Sequence, residues 1–418
     1  MYSFKKTVKI SSFVVLFAAS ASRAQYKPNI QIGTILSTSM KKSNVGRSPL
    51  IVNGGNATFL NEWTIFLGTA LNENISVYAE VQTVNGIKFV NYGLSAIYKS
   101  TKNPWFNFEV GKFLVPFGRF LERRWASENP FIDFPLIYEY RTGLSAFDLP
   151  QNDSELLRVR GKGNAFQYHD ENIIFQKQQR PGLASGHIPV AGAGLRILSR
   201  EVYLTGFQLF GVGRVFKYHF GVTNGALSNP SDINNSNGIQ VHGRVSVTPT
   251  TGLEIGSSAS SGVYLDKKSV QPQLDVTDRD AEEFRQNAFG LDMSYAFGHF
   301  MFFSEFMFNR WESPFVQNNL DAVAFYVEGK YRWLTRFYSA TRFSLINFST
   351  IPDPEDIDND GNLSESWDYD IYQLELVSGY YINRNALAKI LLQLNKSLDV
   401  PTGDPDDNLF ALQLVVFF

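Results

Sequence analysis

The sequence predicts an all-β chain: a transmembrane antiparallel β-barrel of about 16 strands, with long extracellular loops on one rim and short periplasmic turns on the other. Three observations predict it. Apolar and polar residues alternate with a period of two through most of the chain, so each strand has one apolar and one polar face. The alternating runs last about 9–13 residues, the length of a tilted strand crossing a bilayer, whereas strands of soluble sandwiches usually have about 5–6. Aromatic residues make up 15% of the 418-residue chain, with 36 Phe and 19 Tyr, and many lie at strand ends. Membrane-interface girdles explain that placement. A sheet crossing lipid must close on itself, because an open edge would leave backbone groups unpaired in hydrocarbon.

Composition narrows the function classes. The net charge of −2 argues against a nucleic-acid partner. Cysteine is absent, which removes disulfides, thiol nucleophiles and Cys-based metal sites. The five histidines, at 169, 187, 219, 242 and 299, show no metal-ligand spacing, and no G-x-S-x-G elbow occurs. His219 and His242 lie on facing polar sides of adjacent predicted strands, near Ser246, and are read as luminal polar residues. An enzyme is not expected.

Along the chain, the first segment is a leader. Lys5, Lys6 and Lys9 precede the apolar run Ile10 to Ala21, and Ser22-Arg23-Ala24 offers small residues around a cleavage point. This is the form of an export signal over residues 1–24. No later apolar run approaches about 18 residues, so no transmembrane helix is expected. Residues 25–418 read as one barrel domain.

In "NISVYAEVQTV" (Asn74 to Val84), Ile75, Val77, Ala79 and Val81 oppose Ser76, Tyr78, Glu80 and Gln82. The strand Trp105 to Phe113 follows and runs into a loop of about 40 residues, a length that is usually functional. Between Asn152 and Ser199, "NAFQYHDENIIFQ" and "VAGAGLRILS" are ambiguous. They either add two strands, giving about 18, or fold into the lumen.

"GIQVHGRVSVTP" (Gly238 to Pro249) alternates again, with Ile239, Val241, Val245 and Val247 opposing Gln240, His242, Arg244, Ser246 and Thr248. "NAFGLDMSYAFG" (Asn287 to Gly298), the aromatic "FMFFSEFMFNRW" (Phe300 to Trp311) and "AVAFYVEGKYRW" (Ala322 to Trp333) repeat the pattern. Expected short turns are Asn72-Glu73, Pro249 to Thr251, Gly298-His299, Leu334, and Asn383 to Asn385. Expected long loops are Ser37 to Asn61, Leu114 to about Asp153, Leu265 to Gln286, Ser349 to Asp368, and Leu398 to Asp407. The chain ends on "NLFALQLVVFF", in which Phe410, Leu412, Leu414, Val416 and Phe418 share a face. This strand is expected to complete the barrel. A terminal strand ending in Phe also resembles the signal that outer-membrane barrels present to their assembly machinery.

Strand parity turns the polar faces inward, toward a watery lumen. The predicted pore lining is Glu80, Glu109, His242, Arg244, Glu328, Lys330, Arg332, Arg342 and Lys389, with His219, Glu305, Arg336 and Glu375 on the same parity. The signs are mixed, whereas a strongly selective pore would show one dominant sign. The segment Phe108 to Pro135 stands apart. Pro116, Pro130 and Pro135 break regular pairing, Gly118 permits an unusual turn, and the apolar residues between suggest a packed loop. The reading is that residues 114–153 fold inward and narrow the pore, with Arg119, Arg123 and Arg124 at the constriction favouring anions. The alternative is a solvated loop whose arginines pair with Glu122 and Glu128.

Two short motifs carry a resemblance. "GKFLVPFGRF" (Gly111 to Phe120) and "YHFGVTNG" (Tyr218 to Gly225) resemble segments of the phosphate-selective porin O and P family, and the C-terminal strand is similar too. The resemblance implies a 16-stranded channel in the outer membrane of a Gram-negative bacterium. It further implies an inward-folded loop, a homotrimer and passage of small anions such as phosphate. Members specific for phosphate carry a basic luminal ladder, and the mixed-sign wall departs from it.

"DIDNDGNLSESWD" (Asp356 to Asp368) imitates the start of a calcium-binding loop, with Asp356, Asp358 and Asp360 at alternating positions and Gly361 at the turn. The twelfth position is Trp367, where the motif needs a bidentate Glu. The alternative is a solvated acidic loop tip: Asp353 to Asp370 holds eight acidic and no basic residues, and Asp399 to Asn408 holds four more acids. Such acidity would also bridge through divalent ions to anionic lipopolysaccharide.

The expected function is a porin-like channel for passive diffusion of small hydrophilic solutes, surrounded by outer-membrane lipid. The alternative is a non-conducting barrel with a binding or structural role, plugged by the 114–153 segment.

Overall fold

The structure is a computed structural model that describes residues 30–45, 48–51, 55–84, 88–163, 194–230 and 236–418. The predicted leader, the stretch 164–176, and His169 and His187 lie outside the described residues. The strands, in chain order, are β1 (Ile30–Ser43), β2 (Thr58–Ala70), β3 (Ile75–Val84), β4 (Lys88–Tyr98), β5 (Asn107–Leu114), β6 (Arg141–Ser145), β7 (Gly194–Arg196), β8 (Tyr203–Val212), β9 (Phe216–Asn224), β10 (Ile239–Thr250), β11 (Leu253–Val263), β12 (Arg285–Phe297), β13 (Phe300–Trp311), β14 (Leu320–Arg332), β15 (Phe337–Phe348), β16 (Thr350–Pro352), β17 (Ser364–Ser366), β18 (Ile371–Asn383), β19 (Ala386–Ser397) and β20 (Leu409–Phe417).

Sixteen of these close into one barrel in the order β1-β2-β3-β4-β5-β8-β9-β10-β11-β12-β13-β14-β15-β18-β19-β20. Neighbouring strands are antiparallel, and β20 closes the ring on β1 with Phe417 opposite Ile35. The two remaining pairs, β6-β7 and β16-β17, lie outside the wall. The count is therefore 16. The described part of "VAGAGLRILS" supplies β7, which pairs with β6 and not with a barrel strand.

The alternation decides which face meets which medium. On β10, Ile239, Val241, Val245 and Val247 are exposed on the outer wall, whereas Gln240, His242, Arg244 and Ser246 are buried inside. On β19 and β20, Ile390, Leu392, Leu394, Phe410, Leu412, Leu414 and Val416 likewise point out. An outer surface this apolar requires a non-aqueous surrounding, since soluble proteins rarely expose apolar patches beyond a few hundred Å².

Short turns join β2 to β3, β10 to β11, β12 to β13, β14 to β15 and β18 to β19 on one rim. In the β10-β11 turn Gly252 has φ +86°, and a Cβ there would lie 2.4 Å from the Ala296 carbonyl oxygen. Only glycine fits. The loop expected from Ser37 to Asn61 is shorter, because β1 and β2 continue to pair as far as Lys41 opposite Thr58. The long connection after β5 is larger than the sequence suggests. It does not return to the wall until β8, and its described residues pack against the inner wall.

Candidate functional site

The insert begins where β5 ends. Val115 N–H donates to the Val202 carbonyl at 2.9 Å, so the outgoing and returning chains run side by side at the wall. Between them lie a 3-10 turn (Phe120–Arg123), a helical turn (Leu136–Glu139), the β6-β7 pair and a short helix (Asp153–Leu157). Asn152 caps that helix by accepting from Glu155 N–H at 2.8 Å. Phe120, Leu136, Tyr138, Tyr140, Leu144, Leu156 and Leu157 are buried in one apolar cluster. That cluster meets inward residues of β13–β15 that are themselves apolar, among them Trp311, Ala322, Ala324, Tyr326 and Ile346. The inner wall is thus polar on one side and apolar where the insert rests.

Each of the three predicted constriction arginines lies on this insert, and each has a carboxylate partner. Arg123 donates to Glu328 on β14 at 2.7 Å, with its guanidinium 3.8 Å from the Phe303 ring centroid. Arg124 donates to Glu80 on β3 at 2.9 Å and to the Leu121 carbonyl at 2.7 Å. Arg119 pairs with Glu122 and lies 3.5 Å from Glu254. The Arg119 side chain is 28% exposed, against 12% for Arg123 and 6% for Arg124. Arg123 and Arg124 therefore fasten the insert to opposite walls, and Arg119 is the most accessible of the three.

Four of the nine predicted lining residues, Glu80, Glu328, Arg342 and Lys389, hold the insert. Lys389 donates to the Ala126, Asn129 and Phe131 carbonyls at 2.7, 2.8 and 3.1 Å. A buried ammonium is thereby solvated by the backbone of the insert. Arg342 is fully buried. It donates to Glu375 at 2.8 Å and to the Asp133 carbonyl at 2.9 Å. Arg244 donates to Asp292 at 2.6 Å. Glu109 accepts from Ser95 and Gln208, both at 2.6 Å. Lys330 lies 4.3 Å from the Tyr338 ring centroid. Arg332 and Arg336 sit exposed at the short-turn rim, where β14 ends and β15 begins. His242 is buried with neither ring nitrogen hydrogen-bonded among the described residues, and His219 stacks on Phe210 at 5.5 Å.

For three further residues, only the structure supplies the partners. Glu305 on β13 accepts from the Arg119 and Phe120 amides and from the Tyr138 hydroxyl, each at 2.5 Å. A Cβ on Gly118 (φ +67°) would come within 3.0 Å of the same carboxylate. The glycine thus lets the insert's first turn close onto Glu305. Asp368, in the outer loop, accepts from the Tyr140 hydroxyl and from the Gly143 and Gly161 amides at 2.9, 2.7 and 2.7 Å. Burial pushes its carboxyl up from 3.8 to about 6, against the opposing effect of those hydrogen bonds. Parity marked Glu305 as inward; nothing in the sequence pattern marked its partners.

A cavity of about 70 Å³ lies beside the described part of the insert on the β1–β4 side, enough for several waters. The wall contributes Ser37, Glu62, Thr64, Gln82 and Gln413, the start of the insert contributes Arg124 and Trp125, and its return contributes Arg200 and Glu201. Both signs of charge face it. In the outer loop, Asp356, Asp358 and Asp360 each bring a carboxylate oxygen within 4.8 Å of the others.

No protein-family profile matches the sequence, and no curated protein matches it. The resemblance to phosphate-selective porins therefore rests on its short motifs. Solved structures do match. OmpF of Salmonella typhi in complex with daunomycin has a TM-score of 0.55 at 10% identity, covering 93% of this chain and 97% of its own. The anion-selective porin of Comamonas acidovorans has a TM-score of 0.53 at 10% identity, covering 94% and 100%. The trimer form of OmpT, an outer membrane protein of Vibrio cholerae, has a TM-score of 0.51 at 9% identity, covering 94% and 99%. With the closed 16-strand ring and its two-faced wall, these likenesses give the chain the fold of the outer-membrane porins.

Proposed function

We propose that this chain is an outer-membrane channel of the porin type, and that small hydrophilic solutes cross it between the insert and the β1–β4 wall. The observation that carries this reading is the cavity on that side, where charged and polar groups alternate with apolar ones, in a barrel whose opposite side is filled by the apolar core of the insert. Its charges are of both signs, which supports weak ion preference over a dedicated phosphate site. Arg200, which lines that cavity and is 35% exposed, is the arginine expected to bias passage toward anions; Arg119 lies across the lumen beside Glu254 of β11. A cleaved leader over residues 1–24, assembly through the C-terminal strand, contact with outer-membrane lipid and lipopolysaccharide, and a homotrimer complete the proposal. The Vibrio cholerae trimer supports the last of these.

One observation favours a second reading, a barrel that the insert seals. Its apolar cluster is continuous with the wall, and its main charges are paired to wall carboxylates. Single-channel recording of the folded protein in a planar bilayer under a KCl gradient separates the two. The porin reading predicts a steady conductance. It also predicts block of a Gln82→Cys variant by a charged thiol reagent, with no block of Phe220→Cys on the lipid face. It further predicts that Arg200→Ala moves the reversal potential toward cations more than Arg119→Ala does. Silence from a well-folded barrel would make the sealed reading correct.

A further inference from the structure

We infer that the outward face of β14, β15 and β18 holds one anionic phospholipid, with its phosphate on the arginines of the adjoining turns and its acyl chains in a hollow of the sheet. The hollow has a volume of about 860 Å³. Its cause is side-chain size. Gly329, Ser339, Thr341 and Ser378 share the outward parity of Tyr331 and Phe343. They are neighbours across the sheet, Gly329 opposite Thr341 and Ser339 opposite Ser378. Larger residues wall them in, Phe300, Phe302 and Tyr331 on one side and Leu376, Ile390 and Leu392 on the other. An apolar hollow on such a face gains contact only when chains or protein fill it.

The hollow opens toward the short-turn rim, where Phe300 begins β13 and Tyr331 is the last residue but one of β14. There Arg332, Arg336 and Arg384 are all exposed. Tyr381 N–H donates to the Arg336 carbonyl at 2.8 Å, so the β14-β15 and β18-β19 turns lie side by side. Arg332 donates to the Thr335 carbonyl at 2.9 Å and stands 5.4 Å over the Tyr381 ring. None of the three arginines has a carboxylate partner among the described residues. Their planar forks match phosphate oxygens. Ser339 lies two residues into β15, about 7 Å along the strand, and the headgroup layer of a bilayer is about 5–7 Å thick on each side. The Ser339 and Ser378 hydroxyls, which have no hydrogen-bond partner among the described residues, thus sit where the ester carbonyls of a phospholipid would accept from them. Trp333 and Leu334, 59% and 70% exposed, flank the arginines as interface anchors do.

Charge selects lipid over a second copy of the chain. Among the described residues, the connections on this rim carry Lys99, Lys102, Arg214, Arg336 and Arg384 against a single acidic side chain, Glu73. A second copy would bring the same cations to the arginines, whereas a lipid phosphate neutralises them. The inference rests on the barrel standing in a membrane and is independent of whether it conducts.

The test is native mass spectrometry of the full chain, folded in detergent and freed of lipid, with phosphatidylglycerol and separately with phosphatidylcholine. The expected result is one phosphatidylglycerol per chain, held at least about fivefold more tightly than phosphatidylcholine. Arg336→Gln together with Arg384→Gln should weaken it about 25-fold, roughly fivefold for each arginine. Thr341→Phe, which fills the hollow, should weaken both lipids. Lys99→Gln together with Lys102→Gln, on the same rim but at the β4-β5 turn, should bind as the parent does. Heat-modifiable gel migration identifies any variant that misfolds; Ser378→Leu then replaces Thr341→Phe, and the single arginine variants replace the pair. Equal retention of the two lipids by the folded parent would overturn the assignment, as would an equal loss in the lysine pair. So would a Thr341→Phe variant that splits an oligomer and leaves lipid binding unchanged, which would give the hollow to a second copy. A folded chain that stays soluble without detergent would overturn the membrane reading itself, and this inference with it.

Discussion

Glu328 is fully buried between two guanidinium groups. Arg123 of the insert lies at 2.7 Å and Arg342 of β15 at 3.6 Å, and Arg342 in turn holds Glu375. Such a row is stable only while complete. Removing one member leaves an uncompensated buried charge, at a cost of about 3–5 kcal/mol. A Glu328→Gln variant should therefore lose roughly that amount, read as a lower thermal-unfolding midpoint in detergent. The double variant Arg123→Met, Glu328→Met should recover much of the loss, because apolar groups of similar volume replace buried pairs at little cost. The single variant would then be the less stable of the two. The opposite ranking would mean that Arg123 contributes through its ring contacts with Phe303 and Phe120 and not through the pair.

At the scale of elements, the insert is held from two directions. The wall holds it through Glu80, Glu305, Glu328 and Lys389, and the outer loop holds it through Asp368. Asp368 gathers three donors from separate parts of the insert, Tyr140, Gly143 and Gly161. Its carboxyl titrates near 6 in the fold, against 3.8 as the ordinary value. The folded form therefore binds the proton more tightly, and the associated stability is fully present below about pH 4. It is lost as pH rises through about 6 and is constant beyond, with a full span of about 3 kcal/mol. The unfolding midpoint of the parent should fall across that window. In Asp368→Asn this part of the fall should be absent. Parallel pH profiles for the two proteins would show that Asp368 does not titrate there.

At the scale of the whole molecule, one sheet separates two media. Phe220 faces outward at mid-strand on β9, 53% exposed, while its neighbour His219 faces the lumen. An arginine near the middle of the lipid face costs about 2–4 kcal/mol. Phe220→Arg should thus reduce the folded fraction during refolding into lipid vesicles by that free energy, while Phe220→Leu stays near the parent. Equal folding of the two variants would place this face against protein or water.

The residue pattern alone specifies the wall. A period of two specifies which side chains share a face, and a run of bilayer length specifies what that face meets. The barrel, its short turns, and the inward direction of Glu80, Arg244, Glu328, Arg342 and Lys389 were all legible in it. Parity names a face, however, and not a partner. Arg123 and Glu328 are 205 positions apart in the chain, and no periodicity links them. The insert was only half legible: its prolines and arginines marked it, but its apolar residues follow no single period. Its return past Asp153 through β7 and its docking on β13–β15 were therefore hidden. It took packing in three dimensions to turn several luminal charges, Glu80, Glu328, Arg342 and Lys389 among them, to holding this insert, because charges brought into a low-dielectric interior must find partners there, and closure of the ring chose which ones they met.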